Sequence, residues 1–171
     1  FKLIGFPPPP AWEGRRSNGP VYVEQLAQLL NVPLVDLAVA GAEASDSSPG
    51  ALVNPVTHQP LPINLSNQVA QYVAQLNGAH APAGTTALIN IGTNDYQGFF
   101  APFLASGTLP SSLAISNFVA SVVGSVENAI EALTSVGVEK IELFTLPDFG
   151  ITPAAQLAGV AAFAHALDDA N

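Results

Sequence analysis

Polar residues that could do chemistry lie where apolar stretches of this sequence end. The stretch that ends at Ile91 is followed by Gly92-Thr93-Asn94-Asp95, which places an amide next to a carboxylate. An Asn side chain offers two N–H donors, and such donors can stabilise an oxyanion that develops during a reaction. Asn and Asp are also ordinary turn residues, so these four residues alone favour a turn over a site.

Two further stretch ends carry candidate groups. Gly41 follows an apolar stretch, and its backbone N–H could approach a ligand because no Cβ blocks the way. The same property lets a chain turn after a strand, and for this residue alone the turn is favoured. Asp148 follows a third stretch and is a candidate acid.

The hydrophobic periodicity predicts strands that alternate with helices. Strands are predicted at 33–39, 85–91 and 140–146, and helices at about 20–30, 65–76, 115–136 and 153–170. This alternation is typical of an α/β domain with a mostly parallel sheet covered on both faces. In such sheets ligands bind at the carboxyl ends of the strands, where the candidate residues lie. Residues 1–171 are expected to form one domain.

Composition excludes several function classes. The chain has 171 residues and a net charge of −9, which disfavours nucleic acids and anionic membrane surfaces as partners. It has no Cys, which excludes disulfides, Cys-ligated zinc and thiol nucleophiles. No cluster with metal-ligand spacing and no nucleotide-binding glycine motif occurs, so no cofactor is expected. Pro and polar interruptions argue against a membrane-spanning helix, and the sequence does not indicate the oligomeric state.

Four short motifs, in this order, resemble sequence blocks of the GDSL-type lipases and esterases of the SGNH hydrolase superfamily. They are Gly14-Arg-Arg-Ser-Asn-Gly-Pro20, Ala38-Val-Ala-Gly-Ala42, Gly92-Thr-Asn-Asp95 and Leu146-Pro-Asp-Phe-Gly-Ile-Thr-Pro153. The last three lie at predicted strand ends and the first at a predicted helix start, so together they are more specific than any one of them.

This resemblance implies a three-layer α/β/α, flavodoxin-like fold and the hydrolysis of carboxylic esters. It implies a Ser nucleophile, a His base and an Asp that orients the His, with Gly41 and Asn94 as oxyanion donors. It places Asp148 at a variable motif position and so implies a turn role for that residue. The implied substrates are small-molecule, lipid or acylated-carbohydrate esters, and the implied location is outside the cell.

The chain departs from the family pattern at the nucleophile and at the base. No Ser occurs before Gly14, and Ser47 follows Asp46 in the wrong place, after the Gly41 motif. His58, His80 and His165 all lack an Asp three residues earlier. We therefore expect a single hydrolase domain that is truncated at both ends, lacks the first strand with the Ser and the last segment with the Asp and His, and is inactive by itself. The alternative is an α/β binding module that keeps the crevice without catalysis.

A phenylalanine-rich stretch follows Asp95. It contains Phe99, Phe100, Phe103, Leu104 and Leu109. These side chains could line an acyl-binding wall or form a short amphipathic helix that packs on the core, and the helix is the favoured interpretation.

Overall fold

The computed structural model describes residues 15, 17–46, 53, 56, 58, 61–153 and 156. They belong to two compact units, Phe1–Ala40 and Gly41–Asn171, which are considered separately below. The predicted helix at 153–170, apart from its first turn, lies outside the described residues, as do Leu3 to Gly14, Ser47 and His165.

The first unit contains helix α1 (Tyr22–Leu30), close to its predicted position. Glu24 accepts the Val21 N–H at 2.9 Å, which satisfies a backbone donor that the helix itself leaves unpaired. Glu24 also pairs with Arg15, whose Nε donates to it at 2.8 Å. The Arg15 hydrogen bond, followed by the Val21 hydrogen bond, lowers the pKa of Glu24. Asn31, with φ of 53°, ends the helix.

The predicted strand at residues 33–39 is wrong, because these residues have no regular secondary structure. An apolar segment becomes a strand only when a neighbouring strand pairs with its backbone, and no such pairing occurs there. Instead, the Asp36 carboxylate accepts the Ala38 N–H at 3.0 Å, a local bond that competes with a ladder. Leu34 and Val35 remain exposed.

The second unit confirms the predicted strands at 85–91 and 140–146 and the predicted helices at 65–76 and 115–136. It contains α2 (Leu65–Gln75), β1 (Thr86–Ile89), α3 (Thr93–Ser106), α4 (Ser112–Ser135), β2 (Lys140–Leu143) and a 3₁₀ turn (Phe149–Ile151). Both strands are shorter than predicted. Helix α3 covers most of the phenylalanine-rich stretch, which confirms the interpretation of that stretch as a helix.

Strands β1 and β2 form a parallel pair, with Thr86 opposite Lys140 and Ile89 opposite Leu143. Parallel neighbours need a crossover connection, and α3 and α4 supply it. The α/β class is therefore confirmed, whereas the three-layer arrangement stays a prediction. The carboxyl end of β1 leads directly into α3.

Two apolar clusters hold these elements together. The first lies between α2, α4 and β1 and comprises Leu65, Val69, Ala81, Ile89, Ala129, Leu133 and Val138. In the second, Tyr96 of α3 stacks on Phe149 at 5.4 Å and meets Phe118 of α4 edge-on at 4.9 Å. Offset-stacked and edge-to-face rings are the favourable arrangements of aromatic pairs, so this cluster fixes α3 against α4.

Helix α4 begins at a Ser111 cap, whose hydroxyl accepts the Ala114 N–H at 3.2 Å. It ends before Gly137, whose φ of 92° suits a glycine, as predicted for this residue. By length and composition alone α4 is able to cross a membrane, although the core helix of a soluble protein meets the same criterion. Its buried residues Phe118 and Leu133 each belong to one of the two clusters.

Candidate functional site

The motif Gly92–Asp95 begins helix α3, so the expectation of a simple turn for these residues is wrong. Gly92 has a φ of 107°, which L side chains rarely adopt. A Cβ on Gly92 would also lie 3.2 Å from Leu146 Cδ2. A glycine at this position therefore allows the chain to leave β1 and enter α3 at once. Asn94 and Asp95 follow in the first helical turn.

Asn94 contacts the segment that follows Gly41. Its amide Nδ2 donates a hydrogen bond of 2.7 Å to the carbonyl oxygen of Ala42. That bond uses one of the two amide hydrogens. Gly41 is half-buried with a φ of 90°. The structure thus brings Asn94 to the residue next to Gly41, the other predicted donor.

Asp95 binds the same segment two and three residues after Ala42. Its carboxylate is completely buried and accepts the N–H groups of Ala44 at 2.8 Å and Ser45 at 2.9 Å. Bonds from backbone N–H groups to a carboxylate are charge-assisted and stronger than those between neutral groups. Ser45 is tied to α4 as well, because its hydroxyl lies 2.8 Å from the Ser121 hydroxyl.

The start of α2 provides two further hydrogen bonds to the backbone of this segment. Asn64 Oδ1 accepts the Glu43 N–H at 3.1 Å, and the Leu65 N–H donates to the Glu43 carbonyl at 3.0 Å. Buried backbone groups must be paired, and here side chains supply partners that a strand neighbour would otherwise provide. We define residues 41–45, held by α2, α3 and α4, as the site segment.

The Glu43 side chain is the unusual group of the site segment. It is 0% exposed, and neither carboxyl oxygen has a hydrogen-bond partner within the described part of the chain. Burial, followed by the nearby charge of Asp95, raises the pKa of Glu43 to about 7. A protonated carboxyl costs far less to bury than a charged one, so this side chain is neutral when the pH is below that value.

The remaining sequence candidates that the structure describes, Asp148, His80 and His58, lie in other elements. Asp148 Oδ1 accepts the Gly150 N–H at 2.8 Å, which confirms its turn role. His80 lies against Gly137 at the end of α4, and His58 has a φ of 56° in the loop before α2. In the ranges that the structure describes, no group of three or more acidic or His side chains is placed to hold a metal.

The sequence motifs predict Gly41 and Asn94 as site residues, which stays a prediction, and they do not indicate the contacts of Asp95 or the burial of Glu43. Asp95 was visible only as a neighbour of Asn94, and Glu43 only as the residue after Ala42. Their roles depend on bonds and charges between segments about 50 residues apart. The one available signal was the scarcity of charge, because only 10% of residues are charged. A carboxylate at a strand end therefore stands out.

Known proteins provide an independent comparison. The sequence model of a family described as GDSL-like lipase/acylhydrolase matches residues 5–170. The chain is also similar to the thermolabile hemolysin of Vibrio parahaemolyticus, with 30% identity over 146 residues. The match covers 84% of this chain and 28% of the hemolysin, so the chain spans less than a third of that relative. The resemblance predicted from the four motifs is confirmed.

Proposed function

We propose that this chain, which belongs to the GDSL-like lipase/acylhydrolase family, is the part of an ester hydrolase that stabilises the oxyanion. In this proposal the Gly41 N–H and the Asn94 amide are the two donors. The observation that carries the proposal is the hydrogen bond from Asn94 to Ala42, because it brings together two motifs 52 residues apart.

The proposed reaction is acyl transfer through a serine. A Ser hydroxyl attacks the ester carbonyl while a His takes its proton, and an Asp holds the His in the correct orientation. The carbonyl oxygen then carries the negative charge, and the two N–H donors stabilise it. The alcohol leaves with the proton from the His, and water hydrolyses the acyl-enzyme by the same route. We assign the Ser, His and Asp to parts of the protein outside residues 1–171, because this chain lacks the family motifs for them.

The proposed substrates are small-molecule, lipid or acylated-carbohydrate esters. Secretion stays a prediction from the resemblance. In a three-layer fold with β1 and β2 in the central sheet, the carboxyl end of β1 would lie at the edge where ligands bind.

The test uses the whole protein that contains this chain and measures p-nitrophenyl butyrate hydrolysis. Asn94→Ala should lower kcat by about 100- to 1000-fold, as expected for the loss of one oxyanion donor. Asn117→Ala is the matched control, because Asn117 is exposed on α4. It should leave kcat within about twofold of the unchanged protein. Equal kcat in both variants would contradict the assignment of Asn94.

A second arm uses residues 1–171 alone. This chain should give no hydrolysis above the buffer rate, because the proposed nucleophile and base are not part of it. Turnover by this chain would show that one of its own Ser and His residues performs the chemistry. A whole protein that binds the ester without hydrolysing it would instead support the non-catalytic binding module.

A further inference from the structure

The site segment is buried although it has no regular secondary structure. Ala42, Glu43, Ala44 and Ser45 are each 3% exposed or less. No strand neighbour fixes their backbone within the described residues. Its geometry therefore depends on the side chains that bind its N–H and C=O groups.

Asp95 supplies two of these contacts in a row. Its Oδ2 accepts the Ala44 N–H and its Oδ1 accepts the Ser45 N–H. A carboxylate that binds two successive amides fixes both the position and the rotation of the peptide units between them. Asp95 itself is fixed by the first turn of α3, where a negative charge interacts favourably with the helix dipole.

Asn94 and Asp95 are consecutive residues, so α3 presents both side chains to the site segment together. Asn94 binds the Ala42 carbonyl, and Asp95 binds the amides two and three residues later. A shift of the site segment would therefore move the Gly41 N–H relative to the Asn94 amide. An oxyanion hole needs both donors about 2.7–3.1 Å from one oxygen atom, so such a shift would weaken it.

We propose that Asp95 is a positioning residue of the oxyanion hole: its carboxylate fixes the backbone after Gly41, so that the Gly41 N–H and the Asn94 amide act on one oxygen. This inference rests on the proposed function. It gives Asp95 no contact with the substrate, so its loss affects the transition state through the geometry of the site segment.

The test compares Asp95→Asn with Glu127→Gln in the whole protein. Asp95→Asn keeps the size of the side chain but replaces one acceptor oxygen by an NH₂ group that faces a backbone N–H. Glu127→Gln is the matched control, because it makes the same carboxylate-to-amide change at an exposed side chain of α4. This change leaves both backbone contacts of Asp95 intact.

We expect Asp95→Asn to lower kcat for p-nitrophenyl butyrate by about 30- to 100-fold, since misplaced groups cost on this order. KM should change by less than about threefold, because the binding surface is unchanged. Hydrogen exchange should become faster at the amides of Ala44 and Ser45, while the amides of α4 keep their protection. A purely structural role would instead speed exchange throughout the unit. Glu127→Gln should leave kcat and exchange within about twofold.

The outcomes separate this inference from the proposed function. One outcome is that Asn94→Ala is inactive while Asp95→Asn folds and keeps its full kcat. That outcome would overturn the inference and leave the proposed function intact. No turnover by the unchanged protein would overturn the proposed function and the inference with it. If Asp95→Asn does not fold, exchange in the unchanged protein decides. If the Ala44 and Ser45 amides exchange as slowly as the amides of α4, the inference is supported. If they exchange as fast as the amides of exposed loops, it is overturned.

Discussion

The side-chain amide of Asn94 lies 2.7 Å from the carbonyl oxygen of Ala42 and donates a hydrogen bond to it. This bond connects the first turn of α3 to the site segment, across 52 residues of sequence. Asn94, one predicted oxyanion donor, thus contacts Ala42, the residue that follows Gly41, the other predicted donor. The predictions below concern the groups that hold this arrangement and the elements that carry it.

The stability of the second unit should fall as the pH rises from about 4.5 to about 7. Glu43 has a folded pKa of about 7 against an ordinary value of 4.5, so the folded state binds its proton more tightly than the unfolded state. Below pH 4.5 the carboxyl is neutral in both states and nothing is lost. Between the two values the unfolded state gains by ionising, and the free energy of unfolding decreases. Each pKa unit is worth about 1.4 kcal/mol, so the loss above pH 7 is at most roughly 3.5 kcal/mol.

Glu43→Gln should remove this pH dependence, because the amide does not ionise. Urea unfolding at pH 4 and pH 8 measures it. We expect the variant to be more stable than the unchanged chain at pH 8 and similar to it at pH 4. Glu127→Gln on the exposed face of α4 is the control and should show the same pH profile as the unchanged chain. A pH dependence that persists in Glu43→Gln would show that another group causes it.

Gly137→Ala should destabilise the chain by about 1 kcal/mol or more. The φ of 92° at Gly137 disfavours any side chain, and an added Cβ would lie 3.1 Å from His80 Nδ1. Gly124→Ala is the matched substitution, because Gly124 lies inside α4 and an added Cβ has nothing within 4 Å. That variant should gain about 0.5–1 kcal/mol from the higher helix propensity of Ala. Thermal unfolding of both variants measures the effects, and effects of the same sign would contradict the account.

Glu24→Gln should weaken the start of α1. The carboxylate accepts hydrogen bonds from Arg15 and from the Val21 N–H, and these bonds lower its pKa. A lowered pKa means that the stabilisation is present at neutral pH and is lost as the pH falls through the folded pKa. Hydrogen exchange at residues 22–30 should therefore be faster in Glu24→Gln at pH 7. Equal exchange in both chains would show that the contacts of Glu24 do not stabilise α1.

Local pattern predicted the elements whose apolar faces pack within the described structure. The spacing of Leu65, Val69 and Val73 predicted α2, because these residues recur on one face of a helix and pack into the first cluster. The apolar stretch at 33–39 has an equally clear pattern, yet it is not a strand. A strand depends on a backbone partner, and the composition of the segment does not reveal whether that partner is present.

The candidate site divides in the same way. Gly41 and Asn94 are predicted from the sequence because short motifs contain them, and those motifs are recognisable without the fold. The sequence around Asp95 favours a turn, because its bonds to Ala44 and Ser45 form only when α3 is folded against the site segment. Glu43 was not singled out, because burial and the charge of Asp95, which raise its pKa, are properties of the tertiary structure.

The most direct test of the central claim is a crystal structure of the whole protein after reaction with a p-nitrophenyl phosphonate ester. The serine adduct of such a reagent places a phosphonyl oxygen where the oxyanion forms. We predict that this oxygen lies about 2.7–3.1 Å from both the Gly41 backbone nitrogen and Asn94 Nδ2. An adduct whose oxygen is bound by other groups, with Asn94 still donating only to Ala42, would contradict the account.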